Sequence, residues 1–150
     1  MMSDLDYKND LKLLENGPWD ELYVLTNHWV SDLQFYRDDL KFLNHLIEKY
    51  FIWLSKEENL QMIKELKLGL QETNKMVNDL LEKVSKHRNR LGLLVEDANR
   101  KDASVIIMEH EHLEEEIIRF VSFFRLNRKE TFKLTEYIME SEELSTIIRG

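Results

Sequence analysis

The sequence predicts an all-α protein: an elongated antiparallel three-helix bundle with coiled-coil-like packing, running up, down and up behind a short N-terminal arm. Three observations carry this prediction. Apolar residues recur in steps of four and three along most of the chain, the 3.5-residue repeat of helices packed side by side. Only four glycines and one proline occur in 150 residues, fewer than sheet-rich folds spend on turns. Leu, Glu, Lys and Ile dominate, as they do in long helices. With 43% hydrophobic and 33% charged residues, the chain has enough apolar surface to fold and fits a single domain.

Residues 1–16 form the arm, where Leu5, Leu11 and Leu14 could give a short helical stretch. The stretch NGPW at 16–19 starts the bundle, which occupies 17–150. Gly17 breaks the chain, Pro18 suits a first helical position, and Asp20 and Glu21 meet the positive end of the helix dipole. The first helix, about 18–54, carries the seam Trp29, Leu33, Tyr36, Leu40, Leu43, Ile47, Tyr50 and Leu54. SKEE at 55–58 then reads as a capping box of Ser55 and Glu58.

The second helix, about 56–98, has the seam Ile63, Leu66, Leu70, Thr73, Val77, Leu80, Val84, His87, Leu91, Leu94 and Ala98. NRKD at 99–102 ends it: Asn99 can close one helix and Asp102 can cap the next. The third helix, about 102–148, carries Ile106, His110, Leu113, Ile117, Phe120, Phe124, Asn127, Thr131, Leu134, Ile138 and Ser141, with Ile148 in phase. That phase survives the polar LNRKE at 126–130, which favours one continuous helix over a fourth helix starting near Lys129. At about 1.5 Å per residue the rods are roughly 55, 65 and 70 Å long. Two tight corners make their neighbours antiparallel. In helix count and length alone the arrangement resembles a spectrin repeat.

Folding the chain at its corners places the acidic stretch 109–116 level with 85–92, SKHRNRLG. Lys86, Arg88 and Arg90 would there face glutamates in an interhelical ion-pair ladder. The same stretch, IIMEHEHLEEEIIRF at 106–120, offers a metal alternative. Glu109 and His112 have the Glu-x-x-His spacing of carboxylate-bridged di-iron bundles. His110 and Glu114 lie four apart on one helix face. His28 and His87 fall at the same end of the bundle, so His28, His87, Glu109, His110, His112 and Glu114 are the candidate ligands of iron or zinc.

EHEHLEEEI also resembles the histidine-containing helix of hemerythrin-like domains. That likeness implies further His-x-x-x-Glu pairs on other helices. Here His45 is followed by Glu48, one residue short of that spacing, and His87 by Arg90 and Leu91. A third alternative is a buried polar layer in which Glu114 accepts from His87. A second such layer is expected where Thr73 lies level with Asn127 and Thr131, fixing helix register by mutual hydrogen bonding.

The first helix has a second apolar stripe, Phe35, Phe42, Leu46 and Trp53, widening its apolar face to about 160°. The stripe either packs on the third helix or offers a partner interface, for a homodimer or another helix. The basic residues near 86–101, with Arg100 and Lys101, are few beside a net charge of −8. Nucleic acid is therefore not an expected partner. No Gly-rich phosphate loop and no Gly-x-Ser-x-Gly elbow occurs. Cysteine is absent, the start MMSDLDYKND is polar and acidic, and the longest apolar run is YFIWL at 50–54. Together these predict a cytoplasmic protein without a membrane span. The function they favour is a non-enzymatic helical interaction or scaffold module that needs no cofactor and can self-associate. The alternative is a metal-binding bundle with its His/Glu site near one end.

Overall fold

A computed structural model of the chain describes residues 19–50, 57–97 and 103–149, leaving aside the side chains of 57–59 and 141–149. It contains three helices: α1 (Trp19–Lys49), α2 (Glu57–Glu96) and α3 (Ala103–Arg149). They pack antiparallel in sequence order, and α1 also touches α3. The arm, Leu54, Ser55 and the corner at 98–102 lie outside what is described, as do the side chains of Glu58, Ser141 and Ile148.

Helix α1 begins with Asp20 and Glu21 in its first turn and closes with Lys49, complementing its dipole at both ends. It closes before the expected limit at 54: Tyr50 is in a turn, although its N–H still donates to the Leu46 carbonyl at 3.1 Å. Helix ends fray in this way over their last residues. Helix α3 runs unbroken through 126–130. Its seam keeps phase there because Phe124, Asn127, Thr131 and Leu134 are all buried on one side. No fourth helix starts at Lys129.

The seams predict the core closely. In α2 every seam position from 63 to 94 is buried, and in α3 every one from 106 to 138. In α1 Trp29, Leu33, Leu40, Leu43 and Ile47 are buried, with Tyr36 and Tyr50 half-buried. The α1 core also starts earlier than expected, with Leu22, Leu25 and Thr26 buried as well. Each fully buried Leu or Ile contributes about 1.5–3 kcal/mol by leaving water, so these rows hold the helices together. Buried threonines satisfy their hydroxyls on their own helices: Thr26 donates to the Leu22 carbonyl at 2.8 Å and Thr135 to that of Thr131 at 2.7 Å. None of the described helices is long and apolar enough to cross a membrane.

Candidate functional site

Two regions carry chemistry beyond apolar packing. The first is a buried layer where all three helices meet. His87 of α2 and His110 of α3 occupy facing seam positions, and both are fully buried. Trp29 of α1 closes the third side, its ring stacked on His110 with centroids 4.5 Å apart and planes inclined by 23°. His87 Nδ1 lies 2.7 Å from Glu109 Oε1, and His87 Nε2 lies 2.9 Å from His110 Nδ1.

These contacts fix the protons. An ionised carboxylate only accepts, so His87 Nδ1–H donates to Glu109. The Nε2 of a neutral His87 ring is then bare and accepts from His110 Nδ1–H. His110 Nε2 is left without a proton, buried and without a hydrogen-bond partner. Both rings favour this neutral state. Burial pushes the His110 imidazole down to about 3, reinforced by the neighbouring His87. Burial also lowers His87, opposed by its bond to Glu109 and by that carboxylate's charge, while Arg90 adds to the lowering. Arg90 ion-pairs with the other oxygen of Glu109 at the surface. The result is a continuous chain from solvent to core: Arg90, Glu109, His87, His110, Trp29.

The predicted metal ligands are not gathered. His28 is exposed, one residue before the buried Trp29 and so turned about 100° from the seam. His112 is also exposed and pairs with Glu116 on its own helix at 2.9 Å. Among the described residues no three His, Asp or Glu side chains converge as a metal would require. His87, Glu109 and His110 do meet, but the facing nitrogens of the two rings are engaged with each other rather than aimed at a common point. Glu114 is buried on α3, yet the carboxylate that serves His87 is Glu109. About 7.5 Å along the α3 axis, nearly a turn and a half, separates those two glutamates.

The expected ion-pair ladder forms in part. Arg90 reaches Glu109, but Lys86 pairs within its own helix with Glu82 at 3.1 Å. Arg88 instead turns to α1, donating to Asn27 Oδ1 at 3.3 Å. The cation that crosses to Glu116 is Lys83, at 3.2 Å. Long flexible side chains choose among anions within a turn of each other, and periodicity does not encode that choice.

The Thr73, Asn127 and Thr131 layer is present, and all three are buried. Asn127 Nδ2 donates to Thr73 Oγ1 and, at 3.2 Å, to the Gly69 carbonyl. Thr73 Oγ1 donates to the same carbonyl at 2.8 Å. Thr131 donates to the Asn127 carbonyl at 2.7 Å rather than across the bundle. Gly69 leaves room for this knot: a Cβ there would stand 2.9 Å from Asn127 Oδ1.

The second region is the outer face of α1. Phe35 is 66% exposed and Phe42 50% exposed, with Leu46 half-buried beside them. Trp53, the last member of the predicted stripe, lies outside the described residues. Phe35 and Phe42 face largely outward, beside the contact that α1 makes with α3. That contact is made by Trp29, by Tyr36, whose ring centroid is 4.7 Å from that of Phe124, and by Asp39, whose Oδ2 is 3.7 Å from Arg128 Nε. Arg128 also stacks over Phe132, 4.8 Å from the ring centroid. Sequence patterning missed this basic side of the face, because LNRKE bears on helix continuity before it bears on charge.

Grooves elsewhere are shallow surface features. One between α2 and α3 is lined by Met62, Glu65, Leu66, Leu134 and Tyr137, and another by Arg125, Arg128, Lys129 and Phe132 among others. Neither reaches His87 or His110. Comparison of the chain with protein-family models, curated proteins and solved structures found no match to any of them.

Proposed function

We propose that this chain is a helical protein–protein interaction module that works without catalysing a reaction, with the aromatic face of α1 as its docking surface. The observation that carries this is the exposure of Phe35 and Phe42 on one helix face while the seam residues beside them are buried. Two large aromatic rings left half or more in water cost solubility and add little to the core. Contiguous exposed apolar side chains, aromatics above all, are enriched where partners bind. The buried polar layers support the same conclusion from the other side. They brace the helices in register, and a rigid face is what a docking surface needs. The acidic, cysteine-free composition fits a cytoplasmic setting.

A photo-crosslinking residue placed at Phe42 in cells tests this, with the same residue at the exposed Lys75 of α2 as control. Adducts of defined mass are expected from position 42 and not from position 75. No adduct at 42, or the same diffuse labelling at both, would overturn the proposal.

A further inference from the structure

One stretch of α3 carries charge that the bundle does not use. Arg125, Lys129 and Lys133 follow one another at four-residue intervals, so they stand in a row on one face of the helix, and all three are exposed. Like charges at that spacing repel and weaken a helix slightly. Among the described residues none of the three makes an ion pair. Glu130 and Glu136 lie three residues to either side of Lys133 without pairing with it. Asp32 and Arg125 are both felt at Tyr36, yet they do not pair with each other either. Arg128, on the α1 side of the row, has an acidic neighbour in Asp39, whose Oδ2 is 3.7 Å from its Nε. Its guanidinium lies over Phe132, 4.8 Å from the ring centroid. The three unpaired cations, Arg128 and Phe132 line one shallow groove together with Glu136.

At about 1.5 Å per residue the row advances in steps of about 6 Å and spans about 12 Å. A second helix with a carboxylate at every fourth position presents its charges at the same interval, so each carboxylate can stand opposite one cation. Phe132 is half-buried and offers an apolar contact beside the row. Charges farther away than about 8 Å are largely screened at physiological salt, so a single helix meets mainly this row. A duplex or an anionic bilayer is broader and meets the rest of a chain of net charge −8. We propose that this face of α3 binds an acidic helix of a partner protein, with Asp or Glu at four-residue intervals set against Arg125, Lys129 and Lys133. The site is on a different helix from Phe35 and Phe42 and does not depend on their being a docking surface.

The probe is a fluorescently labelled, alanine-rich helical peptide with Glu at three successive fourth positions, beside a counterpart with Gln at the same places. Fluorescence anisotropy against the full-length chain at low ionic strength should give a dissociation constant at least about 10-fold lower for the Glu peptide, and added salt should close the gap. Arg125→Gln with Lys129→Gln and Lys133→Gln should remove the preference, with circular dichroism checking that the helices remain. If the triple variant does not fold, Lys129→Gln alone replaces it and should weaken the Glu peptide about 3-fold. Lys129→Glu separates binding from folding. It should abolish the preference while leaving Tm level or raising it by up to about 4 °C, because two repulsions along α3 become attractions. A fall in Tm would mean that Lys129 already serves the fold, and the proposal would fall with it. It is equally overturned by equal affinity for the two peptides, by neutralised variants that keep the preference, or by a wild-type chain that binds phosphatidylserine vesicles and not the Glu peptide.

Discussion

Replacing Gly69 with alanine asks whether the inner polar layer fixes helix register. Gly69 lies inside α2, where alanine is normally better by about 1 kcal/mol. Its local conformation presents no obstacle, because no glycine among the described residues has a positive φ. The obstacle is Asn127: the new methyl carbon would stand 2.9 Å from its Oδ1. The Gly69 carbonyl can only accept, so the Asn127 amide must keep Nδ2 toward it and Oδ1 toward the new methyl. Moving the side chain stretches its bonds to Gly69 and Thr73. A buried amide left partly unsatisfied costs about 1–3 kcal/mol. Gly69→Ala should therefore range from neutral to a loss of about 2 kcal/mol in the wild-type background. With Asn127→Ala already in place the clash is gone, and the same substitution should stabilise by about 1 kcal/mol. Urea denaturation of the four proteins, followed by circular dichroism, gives the coupling, expected at about 1–3 kcal/mol. A gain of about 1 kcal/mol in both backgrounds would show that Asn127 is not locked against α2, and the layer would lose its assigned role.

Other outcomes follow from the same coordinates. Gly92→Ala meets only Tyr23 Cε2 at 3.6 Å, ordinary contact, so it should stabilise by about 0.5–1 kcal/mol in the same urea assay; a loss would mean that α1 and α2 lie closer than described. Both buried imidazoles sit below the ordinary histidine range, His110 at about 3. Their contribution to stability is therefore complete above about pH 6.5 and is lost as pH falls from there, for His110 on toward 3. Each adds a slope of up to about 1.4 kcal/mol per pH unit. His110→Gln, which keeps a donor for His87, should flatten urea midpoints measured between pH 7 and 4.5; an unchanged slope would contradict the burial of a neutral ring. Protein purified without a metal-affinity tag should hold no stoichiometric iron, zinc or manganese by elemental analysis, and a metal lost in His110→Ala would restore the metal alternative.

The periodicity of the sequence carried the fold because a 3.5-residue seam leaves few choices: one residue of slip would bury charge. Thr73 and Asn127 were legible as partners for the same reason, since two independent seams brought polar residues to one height. Pairings that depend on single turns were not legible. Glu109 rather than Glu114 reaches His87, and Lys83 rather than Lys86 crosses to Glu116, because flanking glutamates recur every few residues along 109–116. His28 was placed at the right height but on the wrong side of α1, where height alone says nothing of rotation about the axis. Trp29 belonged visibly to the seam, yet its stacking on His110 needed the third helix in place. Whether Phe35 and Phe42 faced α3 or water also turned on rotation, which the width of an apolar stripe leaves open.

The outward placement of those two rings is tested most directly by urea denaturation of Phe35→Asp with Phe42→Asp, at a concentration low enough to keep every species monomeric. Exposed side chains predict a stability within about 1 kcal/mol of wild type. Rings packed into the bundle would lose about 3–5 kcal/mol each on truncation, and more with a charge added; a loss of that size would mean that this face belongs to the core and is not available to any partner.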